Sequence, residues 1–73
     1  MRKLYIEKTN QTLINVRKMR EARGLSQRFM ADRLFISQNA YSKFELGYTT
    51  VKLEHIYAIA VIFDVKISDI III

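Results

Sequence analysis

Gln27-Arg-Phe-Met-Ala-Asp-Arg-Leu34, Phe35-Ile-Ser37 and Gln38-Asn-Ala-Tyr-Ser-Lys-Phe-Glu-Leu46 follow one another without a break and carry the clearest structural signal in the chain. They read as two short helices joined by a tight turn. Ser26 and Ser37 each stand directly before a glutamine, where a hydroxyl can accept from the N–H groups that a helix start leaves free. Met30, Ala31 and Leu34 share one face of the first helix, from about Gln27 to Leu34. Tyr41 and Phe44, three apart, share the inner face of the second, Gln38 to Glu45, and Gly47 ends it. Ala31 sits where the helices cross, and a larger residue there would push the second helix away.

Upstream, Leu13, Val16 and Met19 recur at helical spacing, with Arg17, Lys18, Arg20 and Arg23 between or just after them. Gly24 suits the end of that helix. Downstream, a loop from Tyr48 to Val51 leads to a helix from Lys52 to Phe63. Leu53, Ile56, Tyr57, Ala60 and Phe63 form its apolar stripe, and Ile59, Val61 and Ile62 carry the apolar surface further round. Val65 to Ile73 reads as a short helix or a strand, because β-branched residues compete with the weak cap Lys66. Residues 1–10 read as an extended N-terminal arm, since Leu4, Tyr5 and Ile6 favour strands and Thr9 or Asn10 can cap the helix after them. Four terminal isoleucines cannot comfortably face water. The expectation is that Leu4, Ile6, Ile70, Ile71, Ile72 and Ile73 pack as a small β pairing of the chain ends, or form a dimer contact, or both. A rival reading continues the isoleucines into a further domain.

The chain has 73 residues, enough for one domain of limited core, so a dimer is a reasonable expectation. With 51% hydrophobic and 26% charged residues the composition is that of a globular domain. The absence of cysteine excludes a disulfide framework and a thiolate zinc site. One histidine, His55, makes neither a metal site nor a relay. No nucleophile–base pair or placed acid pair is present, so no enzyme is expected, and no cofactor is implied. The longest apolar run, Ile56 to Phe63, is short of the ~20 residues that cross a bilayer. Without a visible signal peptide the default compartment is the cytoplasm. Residues 1–43 hold ten basic against three acidic residues, +7, while residues 44–73 carry −2. One half of the chain is a candidate phosphate-facing surface.

Several segments together carry a family resemblance: Arg20-Glu-Ala-Arg-Gly-Leu-Ser-Gln27, Met30-Ala31, Ile36-Ser-Gln38, Glu45-Leu-Gly47, Leu53-Glu-His-Ile56, Ile59-Ala60 and Val65 through Ile70. Residues 13–71 resemble the lambda-repressor-like helix-turn-helix family of phage repressors, Cro proteins and xenobiotic-response-element regulators. The resemblance implies an all-α, compact five-helix domain that binds operator DNA as a two-fold dimer. Domain organisation is then a single domain over 1–73, with the arm at 1–10, the DNA-binding domain at 11–73 and the motif at 27–46. Phe35 departs from the family's usual glycine in the turn; a positive φ there would cost Phe about 1–2 kcal/mol. Asp64 replaces a second glycine after the fourth helix, and Val51 replaces a proline before it.

Gln38 begins the helix that such a pair presents to a major groove, and its planar amide matches N7 and N6 of adenine. Asn39 has the same chemistry with shorter reach, Lys43 can donate to guanine or phosphate, and Ser42 makes a softer contact. The resemblance implies that Gln27 contacts phosphate and braces Gln38, and that Arg20 pairs with Glu45 close to the phosphates. Arg17, Arg28, Tyr48 and Thr49 are further phosphate candidates. Tyr41 and Phe44 suit stacking on single-stranded nucleic acid, but their spacing favours the core. The chain is therefore expected to be a sequence-specific duplex-DNA-binding regulator, a repressor acting as a homodimer. The alternatives are an antitoxin-like protein-interaction module that also binds DNA and a single-strand or RNA binder.

Overall fold

The computed structural model describes residues 2–73, which form five helices and, among the described residues, no strand. Met1, the first residue of the expected arm, lies outside the described residues. The helices are α1 (Arg2–Ala22), α2 (Gln27–Leu34), α3 (Gln38–Glu45), α4 (Leu53–Phe63) and α5 (Ile67–Ile70). Both serine caps form: Ser26 accepts from the N–H of Phe29 at 2.9 Å and Ser37 from that of Ala40 at 3.0 Å. The two helices of the pair pack more extensively on each other than any other two elements.

Helices α1 to α4 all end alike. Gly24, Phe35, Gly47 and Asp64 take the left-handed conformation, and each next residue donates its N–H back five residues, as Ile36 does to the Ala31 carbonyl at 3.0 Å. This closure satisfies carbonyls that a helix end would otherwise orphan. Two of the four left-handed residues carry side chains. Phe35 has φ 58°, with its ring 94% exposed, and Asp64 has φ 54°.

The core is one cluster in which Leu13 and Val16 of α1 meet Met30, Ala31 and Leu34 of α2, Tyr41 and Phe44 of α3, and Ile56, Ile59, Ala60 and Phe63 of α4. Ile70 of α5 completes it. The inward stripe of α4 differs from the expected one. Ile59 replaces Leu53 and Tyr57, which stay mostly exposed.

Residues 2–10 are helical rather than an extended arm. No glycine or proline interrupts 2–22, and Thr9 does not cap. Its hydroxyl instead donates to the Tyr5 carbonyl at 2.8 Å, one turn back within a continuous helix. The expected β pairing of the ends is also absent among the described residues. The ends do meet, through side chains on α1. Asn15 Nδ2 donates to the carbonyls of Asp69 (3.1 Å) and Ile70 (2.8 Å), and Thr12 Oγ1 accepts from the Ile72 N–H at 3.0 Å. These bonds satisfy the terminal backbone that a ladder would have used. Of the six residues expected at this contact only Ile70 is fully buried. Ile72 is half-buried, whereas Leu4, Ile6, Ile71 and Ile73 are exposed.

Candidate nucleic-acid interface

Helix α3 is eight residues long and divided lengthwise. Tyr41, Phe44 and Glu45 face inward. Gln38, Asn39 and Lys43 are exposed and Ser42 is half-buried. A helix turns about 100° per residue, so Asn39 and Lys43 are one above the other, with Gln38 at the leading end. None of the three side chains makes a hydrogen bond within the protein among the described residues, which leaves their donors and acceptors available. Tyr41 and Phe44, by contrast, are 0% and 3% exposed. Their rings lie 5.7 Å apart inside the core and offer no face to a base.

What holds α3 in place is a buried ion pair. Arg20 Nε donates to Glu45 Oε2 at 2.9 Å and Arg20 Nη2 to Oε1 at 3.0 Å, two parallel bonds of fork geometry. Arg20 Nη1 donates to the Leu25 carbonyl at 2.8 Å. The pair ties α1, the turn before α2 and the last turn of α3 to one point. The Arg20 side chain is 10% exposed and that of Glu45 2%. So Arg20 presents little surface to a phosphate, and its structural role is to fix α3. Burial pushes the Glu45 carboxyl upward, but bonds from Arg20, with help from the Arg20 charge and Gln27, outweigh it and hold it below the ordinary 4.5. The same pairing raises Arg20 further above its already high value. Burial, reinforced by Glu45, pushes the Tyr41 phenol upward, and its hydroxyl is buried without a hydrogen-bond partner.

The remaining candidates divide. Half-buried Gln27, at the start of α2, donates its amide to Glu45 Oε1 at 3.4 Å, a long bond that ties it to the ion pair rather than to Gln38. Arg28 is exposed on the next position and lies 3.8 Å from Asp32, a loose surface contact. Arg17 is exposed and 3.4 Å from Glu21. Tyr48 and Thr49 are exposed in the segment after α3. Beside them, a groove of about 300 Å³ runs between Asn10, Ile14 and Arg17 of α1 and Leu46 to Tyr48. Gly47 lets α1 approach here, because a Cβ on it would meet Asn10 Oδ1 at 3.2 Å.

The structure also shows roles that the sequence reading missed. Asn15 and Thr12 seal the chain ends, and Arg23 lies over the Phe63 ring at 4.8 Å while donating to its carbonyl at 3.4 Å. Polar residues at 12 and 15, next to the inward-facing Leu13 and Val16, were the available signal for the first two. No helix of the described residues is long and apolar enough to cross a membrane. No curated protein and no solved structure matches the chain significantly. A model of the helix-turn-helix family matches residues 16–70, which take in the last part of α1 with Arg20 and all of α2, α3 and α4. The chain belongs to the lambda-repressor-like, xenobiotic-response-element-type helix-turn-helix family, whose domains bind double-stranded DNA and regulate transcription.

Proposed function

We propose that this protein is a sequence-specific repressor that binds a two-fold operator as a homodimer. The observation that carries the reading is the exposed edge Gln38–Asn39–Lys43 on a helix whose far end is fixed by the buried Arg20–Glu45 pair. A reading edge needs both properties. Its side chains must be free to bond bases, and its helix must be held to a fraction of an ångström.

In this reading the leading half of α3 enters the major groove. Gln38 and Asn39 take adenine edges, and Lys43 takes guanine or a phosphate. Ser42 contributes a contact at the groove wall. Arg17, Gln27, Arg28, Tyr48 and Thr49 meet the phosphates on either side and set register without reading sequence. Arg20 acts through Glu45. Repression results from occupancy of the operator, and two copies place their α3 helices about 34–36 Å apart on successive turns of the duplex.

The test is selection from a randomised duplex pool, followed by titration of the selected site against salt. A two-fold symmetric site whose affinity falls steeply with salt is the expected result, with log affinity losing about 0.9 per phosphate neutralised for each tenfold rise in salt. Equal binding to all duplexes with the same salt slope would sink the reading.

A further inference from the structure

We propose that Phe35 reads a thymine in the major groove, by apolar contact with the methyl group of the base. The proposal rests on the DNA reading above and adds to it a residue outside α3.

Three observations point to this ring. The first is that nothing within the chain uses it. Of the four phenylalanines, Phe44 and Phe63 are buried, and Phe29 is half-buried with the Arg33 guanidinium 4.8 Å from its ring centre. Phe35 is 94% exposed. Among the described residues its ring meets neither another aromatic ring nor a cation.

The second is the backbone. Closing α2 needs a left-handed residue at position 35, so that the Ile36 N–H can reach the Ala31 carbonyl. It needs no side chain there. Glycine fills the equivalent place after α1 and after α3, and after α4 it is Asp64, a residue type that takes this conformation more readily than Phe. A bulky residue in this region is a true outlier. Strain with no return inside the molecule points to a use outside it.

The third is position, together with chemistry. Phe35 opens the turn that delivers the leading end of α3, three residues before Gln38. Three residues of chain span at most about 11 Å, and successive base pairs stand about 3.4 Å apart. The ring is therefore within reach of the bases next to the one that Gln38 takes. Its surroundings do not repel phosphate: Asp32 lies 3.8 Å from Arg28, and Arg33 is exposed. The major groove presents donors, acceptors and one apolar group, the methyl of thymine. A phenyl ring has no polar atom to offer, so that methyl is the group it fits.

The experiment uses the full chain and the duplex selected from the randomised pool, with each thymine in turn replaced by uracil, which lacks only the methyl. One thymine in each half-site, within about three base pairs of the base read by Gln38, should respond. There the exchange should weaken wild type about fourfold, the effect of one methyl-sized group withdrawn from water. Phe35→Gly should bind the unmodified duplex at least about fourfold more weakly and should be indifferent to the exchange. Its salt slope should match that of wild type, because no phosphate contact is lost. Phe35→Asn tolerates the left-handed backbone but offers no apolar surface. It should behave as Phe35→Gly does, which separates the loss of the ring from the freedom of glycine. Circular dichroism should show both variants melting at or above wild type, so that weaker binding is not unfolding.

The uracil series on wild type needs no variant at all. A selected site in which no thymine responds overturns the proposal. So do variants that bind as wild type does, and variants that lose affinity yet still sense every methyl. In each of these cases selective binding persists and the DNA reading stands. Wild type that binds all duplexes equally removes the DNA reading itself, and this proposal with it.

Discussion

Arg20 on α1 and Glu45 on the last turn of α3 meet fork to fork, at 2.9 and 3.0 Å, with both side chains almost fully shielded from water. They stand 25 positions apart in the chain, with all of α2 and all but the last residue of α3 between them. Removing one partner leaves the other charge buried and alone, which costs about 3–5 kcal/mol. For a domain of this size about 1 kcal/mol moves the melting temperature by roughly 4–8 °C. Glu45→Ala and Arg20→Ala are each expected to lower it by more than ten degrees, read by circular dichroism. The double variant should be less damaged than the two losses added together, because neither charge is then stranded.

The same pair sets an acid limit. The Glu45 carboxyl is held below its ordinary value of 4.5 in the folded chain. Its contribution is therefore full above that value and is lost as pH falls through the lower, folded-state value. Other carboxylates titrate in this range too, so the informative quantity is a difference. Subtracting the stability of Glu45→Gln from that of wild type should give a curve flat from pH 7 to about 5 and falling below about 4.5. A difference that does not change with pH would mean that the pair is no stronger folded than unfolded.

Gln38→Ala should relax preference at one base position, with discrimination there falling by about 1–3 kcal/mol while the fold is unchanged. Competition between duplexes that differ at single positions measures this. Lys43→Ala should act at a different position or, if it meets phosphate, weaken all duplexes alike. The salt slope separates these cases, because a lost phosphate contact reduces it by about 0.9.

Phe35 is strained. Its φ of 58° costs a side-chain-bearing residue about 1–2 kcal/mol, and its exposed ring recovers nothing from the core. Phe35→Gly relieves that strain but adds freedom to the unfolded chain. A net gain of about 1 kcal/mol is expected, seen as a rise of several degrees in melting temperature. A fall would show that the ring makes a contact worth more than the strain.

The motif was legible because its signals are local. Ser26 and Ser37 mark two helix starts, and the apolar spacing of Met30, Ala31, Leu34, Tyr41 and Phe44 fixes which sides face inward. Both helices run over the residues expected. The Arg20–Glu45 contact came from family resemblance, since nothing local ties residues that far apart. The first ten residues misled because Leu4-Tyr5-Ile6 favours strands only when a neighbouring strand is present to pair with. With no such neighbour and no breaker, α1 simply runs on. The terminal isoleucines misled for a related reason. Hydrophobicity says that such residues seek cover, but it does not say which partner supplies the hydrogen bonds, and Asn15 and Thr12 do so from a helix.

That seal between the chain ends also bears on the order in which the molecule assembles. Helices α2 and α3 are joined by three residues, so their contact closes a very short loop. The bonds from Asn15 and Thr12 span 54 to 60 residues, and closing a loop costs more entropy as it lengthens. The motif can therefore form early, with the seal forming last. Under stress the sequence reverses: α5, with only four helical residues, peels from α1 first. The exposed edge of α3 is then among the last parts of the molecule to lose its shape, and damage at the chain ends reaches it late.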